Sequence, residues 1–95
     1  MARQYYVGRF GQPITDPETI EARRVQTQMR RLITLGVKAG RPWDAAATVG
    51  ALSYACKLTP LRIVTIIREY RDAWRWGINE TGADMAAWTV YEDGE

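Results

Sequence analysis

The stretch ALSYACKLTPLRIVTIIREY, residues 51–70, contains five consecutive β-branched residues (63–67) behind the pair Thr59-Pro60. Such a run is compatible with a buried strand, a core helix or the second half of a helix-turn-helix. Thr59 and Pro60 are typical of a helix N-cap and first helical position. Apolar residues then recur three or four apart, at Ile63, Ile66, Ile67, Tyr70 and Trp74. Because a strand would alternate instead, the pattern predicts a helix over about residues 60–75.

Two further helices are predicted upstream. Asp16 and Pro17 form an N-cap and first-position pair, and a helix over residues 17–38 follows from them. Its core-facing stripe is predicted to be Ala22, Val25, Met29, Leu32, Ile33 and Gly36. Gly40 ends this helix, and the Ala-rich segment 44–56 is predicted to form the second one.

The two ends of the chain are predicted to be extended. Residues 4–10 (QYYVGRF) and 88–91 favour strands, although residues 83–88 are also compatible with one helical turn. We therefore expect a mainly α fold, with a three-helix core (about 17–38, 44–56 and 60–75) and short terminal β-strands or arms. All 95 residues form one domain, made of an N-terminal strand or arm (1–15), a helical core (16–76) and an acidic C-terminal segment (77–95).

The composition argues against catalysis and metal binding. The chain has no histidine and one cysteine, so the usual general base and most zinc sites are missing. No glycine-rich phosphate loop and no nucleophile setting is present, and we expect no enzyme activity, metal or cofactor. Cys56 is expected to be a buried small residue, and Trp43, Tyr70 and Trp74 to lie in the core. No secretion signal or membrane span is recognisable, which predicts a cytoplasmic protein without a membrane partner.

The charge of the chain is divided unevenly. All 13 Lys and Arg residues lie in the first 75 positions, which also hold six acidic residues. The last twenty residues hold five acidic residues and no basic one. A basic body with an acidic end predicts a polyanionic partner, and a solvated Arg-rich surface is the alternative.

Residues 44–74 resemble the broad helix-turn-helix superfamily of DNA-binding domains. Five apolar positions have the spacing that locks the two helices of such a motif together: Leu52, Cys56, Leu58, Ile63 and Ile66. Ser53 takes the position of the small residue where the helices cross. Lys57 stands in the tight turn where glycine is usual, which is a departure from the pattern. The resemblance implies a trihelical fold that binds double-stranded DNA.

The resemblance also implies which residues contact DNA. The helix that begins after Thr59 would enter the major groove, and its base contacts would be Thr59, Arg62, Val64, Thr65 and Arg68. Phosphate contacts would come from Arg23, Arg24, Arg30, Arg31, Arg41 and Lys57. Because so small a module reads few bases, a homodimer is expected. Its candidate surface consists of aromatic residues, for which packing inside the monomer is the alternative: Tyr5, Tyr6, Phe10, Trp76, Trp88 and Tyr91.

Three functional interpretations follow. The first is a small phage- or plasmid-type transcriptional regulator. The second is a non-catalytic inhibitor or adaptor, also of phage type, that blocks a host protein through the apolar residues Leu61 and Val64. The third is an accessory DNA-handling protein that shares the helix-turn-helix.

Overall fold

The computed structural model describes residues 17–93, which form four helices and a three-stranded antiparallel sheet. The helices are α1 (Pro17–Lys38), α2 (Val49–Cys56), α3 (Pro60–Glu69) and α4 (Arg71–Trp74). The strands are β1 (Ala47–Thr48), β2 (Trp76–Asn79) and β3 (Thr89–Glu92), and 3-10 turns lie at Trp43–Ala45 and Met85–Ala87. None of the helices within residues 17–93 has the length and apolar character that crossing a membrane requires.

The predicted fold, a three-helix core with strands only at its ends, is wrong because the sheet is built into the domain. The central strand β3 pairs with β1 on one side and β2 on the other, in the order β1-β3-β2. Segment 44–56 is therefore not one helix: Ala47 pairs with Val90, and only then does α2 begin. Thr48 is extended, and its hydroxyl caps α2 by accepting a hydrogen bond from the Ala51 N–H at 3.1 Å.

The third predicted helix, residues 60–75, is also divided. Helix α3 ends at Glu69, and Tyr70 departs from helical geometry with a φ of −101°. Arg75 then adopts a left-handed conformation (φ 59°) and closes α4, so that the chain turns into β2. Gly77 lies in β2, where the ring of Tyr91 covers the position that a Cβ would occupy.

The core contains the apolar stripe predicted for α1. Ala22, Val25 and Met29 are fully buried, and they pack in one cluster with buried residues of α2, α3 and β3. Of the β-branched run 63–67, only Thr65 is exposed. Each buried Ile or Val side chain contributes about 1.5–3 kcal/mol, whereas a β-branched residue costs a helix at most about 0.7 kcal/mol. Packing therefore decides that this run is helical.

Two aromatic predictions have different outcomes. Tyr70 and Trp74 pack against the core, as expected. Trp43, also predicted to be buried, is 50% exposed and contacts the ring of Tyr91 edge-on at a centroid distance of 5.2 Å. The predicted strand 4–10 lies outside the described residues, whereas the strand predicted at 88–91 corresponds to β3. The alternative of a helical turn at 83–88 is realised as well, by the 3-10 turn at Met85–Ala87.

Candidate nucleic-acid interface

Helices α2 and α3 are joined by a tight three-residue turn. Lys57 ends α2 in a left-handed conformation (φ 58°, ψ 42°). The backbone N–H groups of Lys57 and Leu58 both donate to the carbonyl oxygen of Ser53, whose hydroxyl donates back to the Leu58 carbonyl. Thr59 then caps α3 by accepting a hydrogen bond from the Arg62 N–H at 3.1 Å. The backbone groups of the turn are thus satisfied locally, and the angle between α2 and α3 is fixed.

Replacing Lys57 by glycine is expected to stabilise the fold. A left-handed conformation costs an L-residue about 1–2 kcal/mol, and the greater freedom of glycine in the unfolded chain offsets part of that gain. We expect a net gain of about 0.5–1 kcal/mol and a thermal midpoint higher by about 2–8 °C, measured by circular dichroism. Lys57→Ala removes the same charge without relieving the backbone and should not raise the midpoint. Equal midpoints for the two variants would contradict the strained turn.

The outer face of α3 contains most, but not all, of the predicted base contacts. Thr59, Thr65 and Arg68 are exposed, and the Arg62 side chain is 31% exposed. Val64 is fully buried, so its predicted base contact is wrong. The 3-10 turn at Met85–Ala87 packs against both α2 and α3, and Met85 belongs to the same apolar cluster as Val64.

Both arginines predicted to read bases are bound to carboxylates of the protein itself. The Nε and Nη2 groups of Arg62 donate to Glu21 Oε1 at 3.0 and 2.7 Å. This hydrogen bonding raises the pKa of the Arg62 guanidinium. Arg68 Nη2 donates at 2.5 Å to Oε2 of Glu80, which lies in the loop between β2 and β3. The charge of the α3 face is therefore largely neutralised within the molecule.

The residues predicted to contact phosphate fall into two groups. Arg30 binds Glu92 at 2.8 Å, and the guanidinium of Arg23 lies over the ring of Trp74 at 5.8 Å. The other four are exposed, and within residues 17–93 no carboxylate lies within 4.0 Å of any of them: Arg24, Arg31, Arg41 and Lys57. Only this second group is available to an external anion.

Three of the six aromatic residues predicted to form a dimer surface are described by the structure, and all three are buried or half-buried. Trp76 is 3% exposed, so its predicted place on that surface is wrong: it packs edge-on against Trp74 in the core. Trp88 is half-buried, and its indole N–H donates to the Gly82 carbonyl at 2.8 Å. Tyr91 is half-buried as well. The other three predicted residues lie outside the described part of the chain: Tyr5, Tyr6 and Phe10.

An exposed apolar surface lies at the turn between α2 and α3. Tyr54 is 88% exposed and Leu61 is 64% exposed, although both are large and apolar. An open groove runs beside them along residues 53–60, and Lys57 is the charged residue that lines it. Leu61 was predicted to lie outward. The exposure of Tyr54 was not predicted. It follows from the geometry of α2, because Leu52 and Cys56, two positions before and after Tyr54, are both buried, and Tyr54 lies on the opposite side of the helix.

No metal-binding cluster is found in the described part of the chain. Residues 17–93 hold no group of three or more Cys, Asp or Glu side chains placed to bind a metal ion. Cys56 is buried as predicted, with its thiol directed at the Arg24 carbonyl at 3.9 Å, and burial raises the pKa of this thiol.

Comparisons with protein-family models, curated proteins and solved structures gave no match to this chain.

Proposed function

We propose that this chain is a small, non-catalytic DNA-binding protein of the transcription-regulator type, which binds double-stranded DNA in the cytoplasm through the α2–α3 unit. The observation that carries the proposal is the junction of these helices. An eight-residue α2, a left-handed residue and a Thr-capped α3 leave Thr59, Leu61 and Thr65 exposed, with Leu61 and Thr65 one turn apart on the outer face of α3. Threonine hydroxyls bond to base edges, and apolar side chains contact the thymine methyl group.

The carboxylate partners of α3 are compatible with this function. The pair Arg68–Glu80 is exposed, with 56% and 47% of the two side chains accessible. Exposed ion pairs contribute only about 0–1 kcal/mol, so Arg68 can exchange Glu80 for a guanine edge at little cost. Arg62, held by two bonds to Glu21, is the weaker base-contact candidate. A dimer on a two-fold site would supply the specificity that one such helix lacks.

The test is a fluorescence anisotropy titration with duplex DNA of mixed sequence at about 50 and about 200 mM salt, concentrations between which phosphate-dominated binding weakens steeply. We expect binding at the lower concentration that weakens at the higher one. Arg68→Ala should alter the preference among duplex sequences, by about 1–3 kcal/mol at the affected base pair.

The control is Arg71→Ala, which removes an exposed arginine from α4 and should leave sequence preference unchanged. If Arg68→Ala and Arg71→Ala weaken all sequences alike, α3 is not the reading helix. No binding by the wild-type protein at the lower salt concentration would overturn the proposed function as a whole.

The second candidate function is a protein-binding inhibitor or adaptor. It is favoured by one observation, the exposure of Tyr54 and Leu61 beside the groove at residues 53–60. Large apolar side chains grouped on a surface are typical of protein contacts. The predicted contribution of Val64 to such a surface does not hold, since this side chain is buried. A stable protein complex formed without nucleic acid, by a chain that fails the DNA titration, would favour this second function.

A further inference from the structure

A second cationic surface lies on α1. Residues 22–43 contain six Lys and Arg residues and no acidic one. Three of them, Arg24, Arg31 and Lys38, are each seven residues apart, which is close to two helical turns. They therefore follow one side of α1 at intervals of about 10.5 Å. We call these three residues the basic stripe.

The basic stripe faces away from the rest of the domain. The fully buried residues Ala22, Val25 and Met29 define the core side of α1, and the stripe lies on the opposite side by helical phase. Helix α3 approaches α1 at another place, where Arg62 binds Glu21. The stripe and the outer face of α3 are thus two separate surfaces.

The cations of the stripe have no anionic partner in the described structure. All three side chains are exposed, and across residues 17–93 none has a carboxylate within 4.0 Å. This distinguishes them from Arg30, Arg62 and Arg68, which are each bound to a glutamate. The positive potential of the stripe is therefore available to an external polyanion.

Two more exposed cations lie near the ends of α1. The contact of the Cys56 thiol with the Arg24 carbonyl, at 3.9 Å, places Lys57 beside the first turns of α1. At the other end, the Arg41 N–H donates to the Gly36 carbonyl at 3.0 Å, which holds Arg41 against the last turn. Both are exposed and also lack a carboxylate within 4.0 Å in residues 17–93.

The side chains around the stripe favour nucleic acid over a membrane. Thr34 is exposed between Arg31 and Lys38, and a hydroxyl group of this kind bonds to phosphate and sugar oxygens. The exposed apolar residues Leu35 and Val37 lie on different sides of α1, so no continuous apolar face is available to insert into lipid. The interval of about 10.5 Å also spans about three phosphate steps of one strand, each about 3.4 Å along the duplex.

We propose that the basic stripe is a second, sequence-independent surface for the phosphate backbone of duplex DNA, and that one molecule can hold two duplex segments, one on α3 and one on α1. The inference rests on the proposed function for its partner, duplex DNA. It differs from the resemblance, which assigns Arg24 and Arg31 to the same duplex as α3, because the stripe lies on the opposite side of α1 from the core. Phosphate contacts predict binding that is steeply salt-dependent and indifferent to sequence.

The test compares Arg31→Gln with Arg71→Gln in the anisotropy titration, over a series of salt concentrations. Each variant removes one exposed helical arginine without a carboxylate partner in residues 17–93, so the change in net charge is matched. We expect Arg31→Gln to weaken binding of every duplex about fivefold near 0.1 M salt, and to reduce the slope of log K against log salt by about 0.9. Arg71→Gln should leave both unchanged.

Bridging is tested with two duplexes, one labelled with a donor and the other with an acceptor. The wild-type protein should bring them together and produce energy transfer, and the triple variant R24Q/R31Q/K38Q should lose this transfer while still binding one duplex through α3. All substitutions lie on exposed helical surface, where a substitution changes stability little, and matching thermal midpoints verify this.

The outcomes separate the two proposals. If the wild-type protein binds no duplex, the proposed function fails, and the stripe inference fails with it. If it binds and Arg31→Gln behaves like Arg71→Gln, the proposed function stands and the stripe inference is overturned. Binding of the stripe to vesicles containing phosphatidylserine, with no effect of Arg31→Gln on DNA affinity, would assign this surface to a membrane and would also overturn it.

Discussion

Val64→Asp is expected to abolish cooperative folding near neutral pH. The Val64 side chain is fully buried in the cluster between α3 and the rest of the core. A carboxylate placed there would have to lose its hydration without a cationic partner, or take up a proton, and either change costs several kcal/mol. A domain of this size has only about 5–15 kcal/mol of total stability. The measurement is circular dichroism, with thermal and urea unfolding of both proteins.

Thr65→Asp is the matched control, because Thr65 is the next residue of α3 and is exposed. It should remain folded, with a stability within about 0.5 kcal/mol of the wild type. It should also weaken DNA binding, since a negative charge on the outer face of α3 repels phosphate. If the two variants were equally stable, Val64 would face solvent, and its place among the base contacts would have to be restored.

Local signals predicted α1 and the start of α3 well. The Asp16-Pro17 pair and the apolar stripe from Ala22 onward gave a helix over residues 17–38, and α1 has these bounds. Likewise, the Thr59-Pro60 pair marks the first residue of α3. Helix caps and helical periodicity are determined by a few neighbouring residues, so one segment of sequence is sufficient to detect them.

The sheet was missed because long-range pairing determines it. Ala47 and Thr48 lie in an Ala-rich segment with a helical preference, and two residues carry no strand periodicity. They become a strand because β3, about forty residues later, offers backbone groups to pair with Ala47 and Thr48. The end predicted at about residue 75 agrees with the end of α4, although Arg75 closes this helix in a left-handed conformation that glycine usually takes.

The sequence indicated the cations of the candidate interface but not which of them are neutralised. In the structure, Arg68 binds Glu80 and Arg75 lies 4.0 Å from Asp93, both partners coming from the acidic C-terminal segment. The acidic C-terminal segment thus contacts the basic body. The uneven charge of the chain indicated two oppositely charged parts but not the contact between them. Such pairs depend on the tertiary fold and carry no local signature.

Gly36→Ala is expected to destabilise the domain strongly, although alanine is the better helix former. Gly36 is buried in α1, and a Cβ there would lie 2.6 Å from both the Cβ and the carbonyl oxygen of Ala46. Two of the three nearest atoms belong to the Ala46 backbone, so no rotamer change relieves the clash. Helix propensity would contribute about 1 kcal/mol, whereas overpacking costs about 1–3 kcal/mol or more. The clash would force α1 away from the segment that leads into β1, so we expect a cost at the upper end of that range.

We expect a net loss of about 2 kcal/mol and a thermal midpoint lower by about 8–16 °C, measured by circular dichroism. Thr34→Ala is the matched control, because Thr34 is exposed in the same helix and gains propensity without a new contact. Its midpoint should stay the same or rise slightly. A rise for Gly36→Ala equal to that for Thr34→Ala would mean that α1 does not lie against Ala46. Since the clash concerns packing and not charge, DNA binding by folded Gly36→Ala should keep the salt dependence of the wild type.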